Sequence, residues 1–158
     1  MKRALLFFCL STMCTAACGP KVDLAKGVAV ESVATGWANG GMVAGKNKVV
    51  PTLSFKLKNV SDRELGRLQV NAIFRRVNDP EEWSAGFLPV AADRLAPGTA
   101  TGTLTVKGEQ GYTGTDDRDA LLRNSYFVDA KVDLFAKSGP GGWTRIGEYP
   151  IARQLTEP

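Results

Sequence analysis

Histidine is absent from the 158-residue sequence, and its three cysteines all lie within the first eighteen residues. The lack of histidine excludes most catalytic triads and most zinc and copper sites. Phosphate-binding loops, dinucleotide-binding glycine patterns and the Gly-x-Ser-x-Gly nucleophile motif are also absent. We therefore predict a non-enzymatic protein with no cofactor and no metal ion, and carboxylate chemistry of the glycosidase kind is the catalytic alternative that stays open.

The basic excess is small. Two of the twenty basic residues, Lys2 and Arg3, belong to a leader described below, while all sixteen acidic residues follow it. Loss of the leader lowers the formal charge from +4 to about +2. No cluster of lysine and arginine follows, so we predict no nucleic-acid partner.

The chain opens like a secretory signal peptide. Lys2 and Arg3 precede the apolar run Ala4-Leu5-Leu6-Phe7-Phe8-Cys9-Leu10. This run is shorter than the roughly 20 apolar residues that a membrane-spanning helix needs. A positive start, a short apolar run and small residues at its end are the three parts of a signal peptide, which we place at residues 1–17.

The end of the leader, Thr15-Ala16-Ala17-Cys18, resembles the lipobox of bacterial lipoproteins, with Thr15 where that family usually has leucine. The resemblance implies cleavage before Cys18, which would carry a diacylglycerol thioether and an acylated (palmitate) amino group. Two or more acyl chains anchor a protein stably, whereas one holds it only marginally. The next residue is Gly19 rather than aspartate, which in this family implies the outer membrane more than the inner one.

The remaining chain is long enough for one domain. We expect a lipidated tether over residues 18–26 and a single β-sandwich domain over residues 27–158. Apolar residues alternate with polar ones in three stretches, as in strands with one buried face: Leu53, Phe55 and Leu57; Leu68, Val70, Ala72 and Phe74; Val128, Ala130, Val132 and Leu134. Short strands with turns every 8–12 residues predict an all-β, antiparallel, immunoglobulin-like sandwich of seven to eight strands.

Some elements are predicted more finely. Residues 36–45 are glycine-rich, which favours a loop between the first two strands. The strands near residues 50–59 and 67–77 are expected to pair with each other, and the proline-containing strands near 83–92 and 143–154 are expected at edges. Residues 116–124 read as one short helix, because acids begin it and Arg123 ends it.

Part of this domain resembles the FxLYD-like or immunoglobulin-like domain of bacterial lipoproteins. The similar motifs are Lys58-Asn59-Val60-Ser61-Asp62 at a strand end, Val70-Asn71-Ala72-Ile73-Phe74 in the next strand, and the turn Leu95-Ala96-Pro97-Gly98. The resemblance covers roughly a third of the chain, and most of its matching residues are ones that favour turns. The resemblance therefore implies a fold more than a function.

Loop aromatics are the remaining candidates for ligand contact. Trp37, Trp83 and Tyr112 lie in predicted loops, where rings can stack on sugars or anchor a protein partner. The simpler interpretation is that they seal the ends of the sandwich, and Trp143, which opens a strand, is expected in the core. We expect an envelope lipoprotein that contacts another envelope protein through a sheet edge or end loops. The alternative is a module that binds envelope polysaccharide or peptidoglycan through these three rings.

One acidic cluster, Asp116, Asp117 and Asp119, has the oxygen ligands that Ca²⁺ prefers. Its spacing does not match an EF-hand loop, because Leu121 and Leu122 occupy later ligand positions. We therefore favour a capped helix start over a cation site.

Overall fold

The computed structural model describes residues 22–91 and 94–156, and these residues form ten strands and two short helices. The strands are β1 (Val28–Val43), β2 (Lys46–Asn59), β3 (Leu65–Gly66), β4 (Leu68–Arg76), β5 (Ser84–Pro89), β6 (Arg94–Leu95), β7 (Leu104–Lys107), β8 (Tyr112–Gly114), β9 (Ala130–Ser138) and β10 (Thr144–Pro150). The helices are α1 (Leu24–Gly27) and α2 (Arg118–Arg123).

The strands form two principal sheets in which every paired neighbour is antiparallel. One sheet has the order β1-β2-β7, with β8 pairing beside β7 on β2, and the other has the order β10-β9-β4-β5. The short strands β3 and β6 pair separately as a small ribbon. This arrangement confirms the predicted all-β antiparallel sandwich.

The core lies between the two sheets and follows the predicted alternation, except that Val128 precedes β9 and is 41% exposed. Leu53, Phe55 and Leu57 of β2 are fully buried, and so are the alternate residues Val70, Ala72 and Phe74 of β4. The inward side chains of both sheets belong to one apolar cluster. Burying each large apolar side chain contributes about 1.5–3 kcal/mol, so this cluster is the main favourable term in the stability of the fold.

The predicted pairing of β2 with β4 is wrong. β2 pairs with β1, β7 and β8, whereas β4 pairs with β5 and β9 in the opposite sheet. The chain between them crosses from one sheet to the other and contributes β3 on the way. Both strands must bury one face, and stacking the two faces on each other satisfies that need without pairing them.

The predicted glycine-rich loop is also wrong, because β1 continues through it to Val43. Only Ala44 and Gly45 form the turn to β2, and both have positive φ (49° and 74°), as a two-residue hairpin turn requires. A Cβ atom on Gly36 would lie 2.8 Å from the Gln154 carbonyl oxygen. Glycine therefore serves close backbone approach here rather than a loop.

The folded domain begins earlier than the predicted boundary at residue 27. Asp23 caps α1, its carboxylate accepting a hydrogen bond from the Ala25 amide at 3.1 Å. Leu24 is buried in the core, and Val22 packs against it. Three residues, 19–21, therefore separate Val22 from Cys18, which itself lies outside the described residues.

Two of the turn motifs meet through one buried side chain. Asn59, 0% exposed, donates from Nδ2 to the Leu95 and Arg63 carbonyls at 2.8 and 2.7 Å. Its Oδ1 accepts from the Ser61 amide and hydroxyl at 3.0 and 2.7 Å. The Gly98 amide donates to the Asn59 carbonyl at 2.8 Å. Asn59 thus ties the end of β2 to the turn after β6.

Candidate interaction surfaces

The three candidate aromatics come together in the fold, although not on loops open to solvent. Trp37 lies in β1 and is 0% exposed, while Trp83, just before β5, and Tyr112, in β8, are half-buried. Phe127 joins them, and its ring centroid lies 4.8 Å from that of Trp37 and 4.6 Å from that of Tyr112. Trp37 also lies 6.2 Å from Trp83 and 5.6 Å from Tyr112. We call these four side chains the aromatic cluster.

The segment after β10, residues 151–156, lies along the edge of β1 and covers the aromatic cluster; we call it the C-terminal segment. The Trp37 amide donates to the Gln154 carbonyl at 2.8 Å, and the Thr156 amide donates to the Trp37 carbonyl at 2.9 Å. The Arg153 guanidinium lies 5.1 Å from the Phe127 ring and pairs with Asp129 at 2.6 Å. Because the segment covers this part of the strand, Trp37 has no ring face to offer to a ligand from solvent.

Tyr112 bridges the aromatic cluster to a neighbouring loop. Its hydroxyl donates to the Val128 carbonyl at 3.1 Å. Burial raises the pKa of Tyr112 above its usual value; Arg76 opposes this shift and Asp129 adds to it. The Tyr112 and Trp83 ring centroids lie 4.9 Å apart, so these two half-buried rings pack against each other. The cluster therefore acts as rigid packing at one end of the sandwich.

Exposed apolar residues surround that end, which we call the distal end. Tyr126 is 90% exposed and borders a groove of about 160 Å³ lined by Tyr112, Thr113, Leu121, Asn124, Tyr126 and Phe127. Met42 and Val43, at the tip of the β1–β2 hairpin, are 67% and 48% exposed. The sequence pattern did not single out these three residues, because isolated apolar residues beside turns carry no periodic signal.

The acidic cluster near the distal end behaves as a helix start. Asp117 caps α2, its carboxylate accepting from the Ala120 amide at 2.7 Å, and Asp119 lies in the first turn. Across residues 22–91 and 94–156, no three acidic side chains come close enough to hold a metal ion. The helix begins at Arg118, two residues later than predicted.

The free edge of β1 is poorly suited to accept another strand. Its pairing with β2 shifts register between Glu31 and Ala34 and again between Asn39 and Met42. Ser32 and Gly41 have positive φ at these irregularities (53° and 82°). Bulges of this kind blunt an edge, and the C-terminal segment occupies the stretch between them. An exposed face is therefore a better contact surface than this edge.

The sheet β10-β9-β4-β5 presents an outer face with exposed aromatics. Phe87 of β5 is 58% exposed and Trp143, just before β10, is 43% exposed, so the expected core position of Trp143 is wrong. Their rings meet edge-to-face with centroids 6.3 Å apart, and the Lys137 ammonium lies 4.9 Å from the Trp143 ring. We call the outward side chains of these four strands, with Trp143, the outer face.

An ion network covers the other half of the outer face. The Asp133 carboxylate, 10% exposed, pairs with both Arg75 and Arg145. Arg145 also contacts Glu148, which pairs with Lys131 at 3.2 Å. Hydrogen bonding to Asp133 raises the pKa of Arg145 above its usual value, so this guanidinium stays charged at all ordinary pH. The pairs span neighbouring strands and hold β4, β9 and β10 in register.

Comparisons with known proteins find structural likeness alone. No protein-family model matches the chain, and no curated protein matches it. The solved structure of Northeast Structural Genomics Consortium target SoR45 is similar with a TM-score of 0.44 and 15% identity, over 82% of this chain and 89% of that chain. A Bordetella pertussis protein provisionally named ApaA is similar with a TM-score of 0.42 and 13% identity, over 79% and 92%. Neither likeness indicates a function.

Within the part of the chain that the structure describes, no helix is long and apolar enough to cross a membrane.

Proposed function

We propose that the protein is a bacterial envelope lipoprotein, anchored through lipid on Cys18, whose sandwich is a non-enzymatic interaction domain. The leader and the motif Thr15-Ala16-Ala17-Cys18 support the anchor. Gly19 in place of aspartate supports the outer membrane over the inner one.

The contact surface for a partner in this proposal is the distal end. The observation that carries it is the almost complete exposure of Tyr126 beside a groove lined by Tyr112 and Phe127 of the rigid aromatic cluster. Exposed aromatic rings on a rigid support lose little conformational entropy on binding and are enriched among the residues that dominate interfaces. Met42 and Val43 add flexible apolar area at the same end.

The partner in this proposal is another envelope protein. β9 begins beside the distal end and finishes at Ser138, next to the point where the chain enters the domain. Nine strand residues span about 30 Å. The distal end is therefore clear of the anchor and open to a second protein.

Glycan binding, the competing function, receives less support. Stacking on a sugar needs a ring face open to solvent. Trp37 has none, and Trp83 and Tyr112 face each other. Titration of tryptophan fluorescence with envelope glycans tests this alternative, and a saturable change in the Trp83 signal would favour it over a protein partner.

Site-specific photo-crosslinking in cells tests the protein contact. A photoreactive amino acid replaces Tyr126 in one variant and Val60, which is 51% exposed at the opposite end, in the control. We expect a discrete crosslinked protein from position 126 alone. Tyr126→Ala should weaken binding of the captured protein by about thirtyfold, as loss of a 2 kcal/mol interface residue does. Identical crosslinking from both positions would contradict the proposal.

The anchor has a separate test. Cys18→Ser should abolish acylation and move the protein from the detergent phase to the aqueous phase. An unchanged partition would show that the membrane association has another cause.

A further inference from the structure

We infer that the outer face rests against the anionic phospholipid surface of the membrane in which Cys18 is anchored. This inference rests on the proposed lipidation and concerns a surface that the distal-end contact does not use. It follows from three features: the chemistry of the face, its position beside the tether, and the length of that tether.

The chemistry of the face suits a lipid–water interface. Trp143 and Phe87 expose a contiguous aromatic surface, and tryptophan is enriched at membrane–water interfaces. The outward positions of the four strands carry four cations and two carboxylates, namely Arg75, Lys131, Lys137, Arg145, Asp133 and Glu148. Basic side chains near an anionic bilayer are attracted to it, and their stems can lie along apolar surface.

The position of the face follows from the fold. Val22, where the described chain begins, lines a cavity of about 360 Å³ together with Ser138, Pro140 and Gly142. Trp143 comes next in the chain after Gly142. The exposed aromatic part of the outer face therefore lies beside the point at which the tether enters.

The tether is too short to hold this region away from lipid. From Cys18 to Val22 there are four residue steps, which reach at most about 14 Å when fully extended. The start of α1 is packed into the core, so no further slack is available from residues 24–27. Some surface near Val22 must therefore meet the bilayer, and the outer face is the neighbouring surface that combines exposed aromatics with basic charge.

Depth-dependent fluorescence quenching in vesicles tests this inference. The full lipidated chain is reconstituted into phosphatidylethanolamine–phosphatidylglycerol vesicles that contain phospholipid brominated in its upper acyl chain. We expect partial quenching of tryptophan emission in the wild type and in the control Trp83→Phe. Trp143→Phe should lose that quenching. Persistent quenching in Trp143→Phe, or none in the wild type, would overturn the inference.

A charge variant keeps the test decisive if Trp143→Phe folds poorly. Lys137→Gln should lower the ratio of docked to undocked protein by about fivefold on anionic vesicles, the expected contribution of one lysine near such a surface. The matched control is Lys107→Gln, an exposed lysine on β7 in the opposite sheet, and it should have no effect. Equal effects of both variants would contradict the assigned face.

The outcomes separate the anchor from the docking. A wild-type protein that fails to co-float with vesicles refutes the lipid anchor itself. One that co-floats without quenching keeps the anchor and refutes the docked face. Trp143 fluorescence that responds to peptidoglycan fragments or to a captured protein, but not to brominated lipid, would show that the outer face binds that other partner. This result would overturn the inference.

Discussion

Removal of the Asn59 side chain is the sharpest available perturbation of the fold. The residue is 0% exposed, and its carboxamide makes four hydrogen bonds that join the end of β2 to two turns. Asn59→Ala leaves the Leu95 and Arg63 carbonyls without their amide donor and the Ser61 amide without its acceptor. The Ser61 hydroxyl lies 3.0 Å from the Arg63 carbonyl and can still donate to it, whereas the alanine side chain supplies no donor to the Leu95 carbonyl.

The expected cost follows from the burial of each bond. A buried polar group left without a partner costs about 1–3 kcal/mol. The bond to Leu95 is buried, whereas the bonds to Arg63 and Ser61 are partly buried and open to rescue by water. We therefore expect a loss of about 2–4 kcal/mol. That is a large part of the roughly 5–15 kcal/mol that stabilises an ordinary domain.

Asn59→Asp adds a pH dependence of known sign. It keeps the acceptor toward Ser61 but places a carboxylate against two carbonyl oxygens in a buried site. Desolvation and that repulsion must raise the pKa of the introduced carboxyl above its unfolded value near 3.9. The unfolded state then loses its proton first as pH rises. The variant should therefore be closest to Asn59→Ala in stability near pH 3 and fall below it toward pH 7.

Urea unfolding of the protein without its first 20 residues, followed by tryptophan fluorescence, measures these differences. The midpoint should fall while the slope stays unchanged, since the surface exposed on unfolding is the same. Asn39→Ala is the control, because the Asn39 carboxamide accepts from the Gly41 amide at 2.8 Å at an exposed irregularity of β1, and its loss should cost about 0.5 kcal/mol or less. A loss at Asn59 as small as that would refute the reasoning.

Two further predictions concern packing and pH. A Cβ atom at Gly86 would lie 2.5 Å from the Lys107 carbonyl oxygen, so Gly86→Ala should cost about 1–3 kcal/mol in urea unfolding, whereas Gly102→Ala, with open space around it, should be near neutral. Equal effects would contradict this account of how closely β5 approaches β7. Burial raises the pKa of Tyr112 above its unfolded value near 10. The contribution of the neutral phenol to the free energy of unfolding is therefore present below pH 10 and is lost above it. Tyr112→Phe should reduce the loss of stability as the pH rises above 10, and an unchanged loss would count against this role.

The strands with strict alternation could be predicted because one face of each carries apolar residues and the other carries polar residues. In β2, Leu53, Phe55 and Leu57 are buried while Lys56 and Lys58 reach water, and the sequence shows this directly. β1 gave no such signal beyond its first residues. Its glycines favour loops locally, and the strand there is held by pairing with β2 on one side and by the C-terminal segment, over a hundred residues later, on the other.

The candidate site could be predicted in part. Sequence reasoning selected Trp37, Trp83 and Tyr112, and the fold does bring their rings together. It could not show that the rings would face one another, since these contacts join residues far apart in the chain. The core position predicted for Trp143 was wrong for a local reason. A tryptophan at a strand start is usually core, and only the loop geometry turns this one outward.

The two proposed surfaces constrain each other. If the outer face lies flat on lipid, the strands run parallel to the membrane, and the distal end points sideways rather than away from it. Two stacked sheets are separated by only about 10 Å, so Tyr126 would stay close to the bilayer surface. A protein that reaches Tyr126 must then itself lie at the membrane. Lys137→Gln weakens the contact between the outer face and lipid, so the domain would move more freely on its short tether. A photoreactive residue at position 126 should then crosslink to a larger number of different proteins.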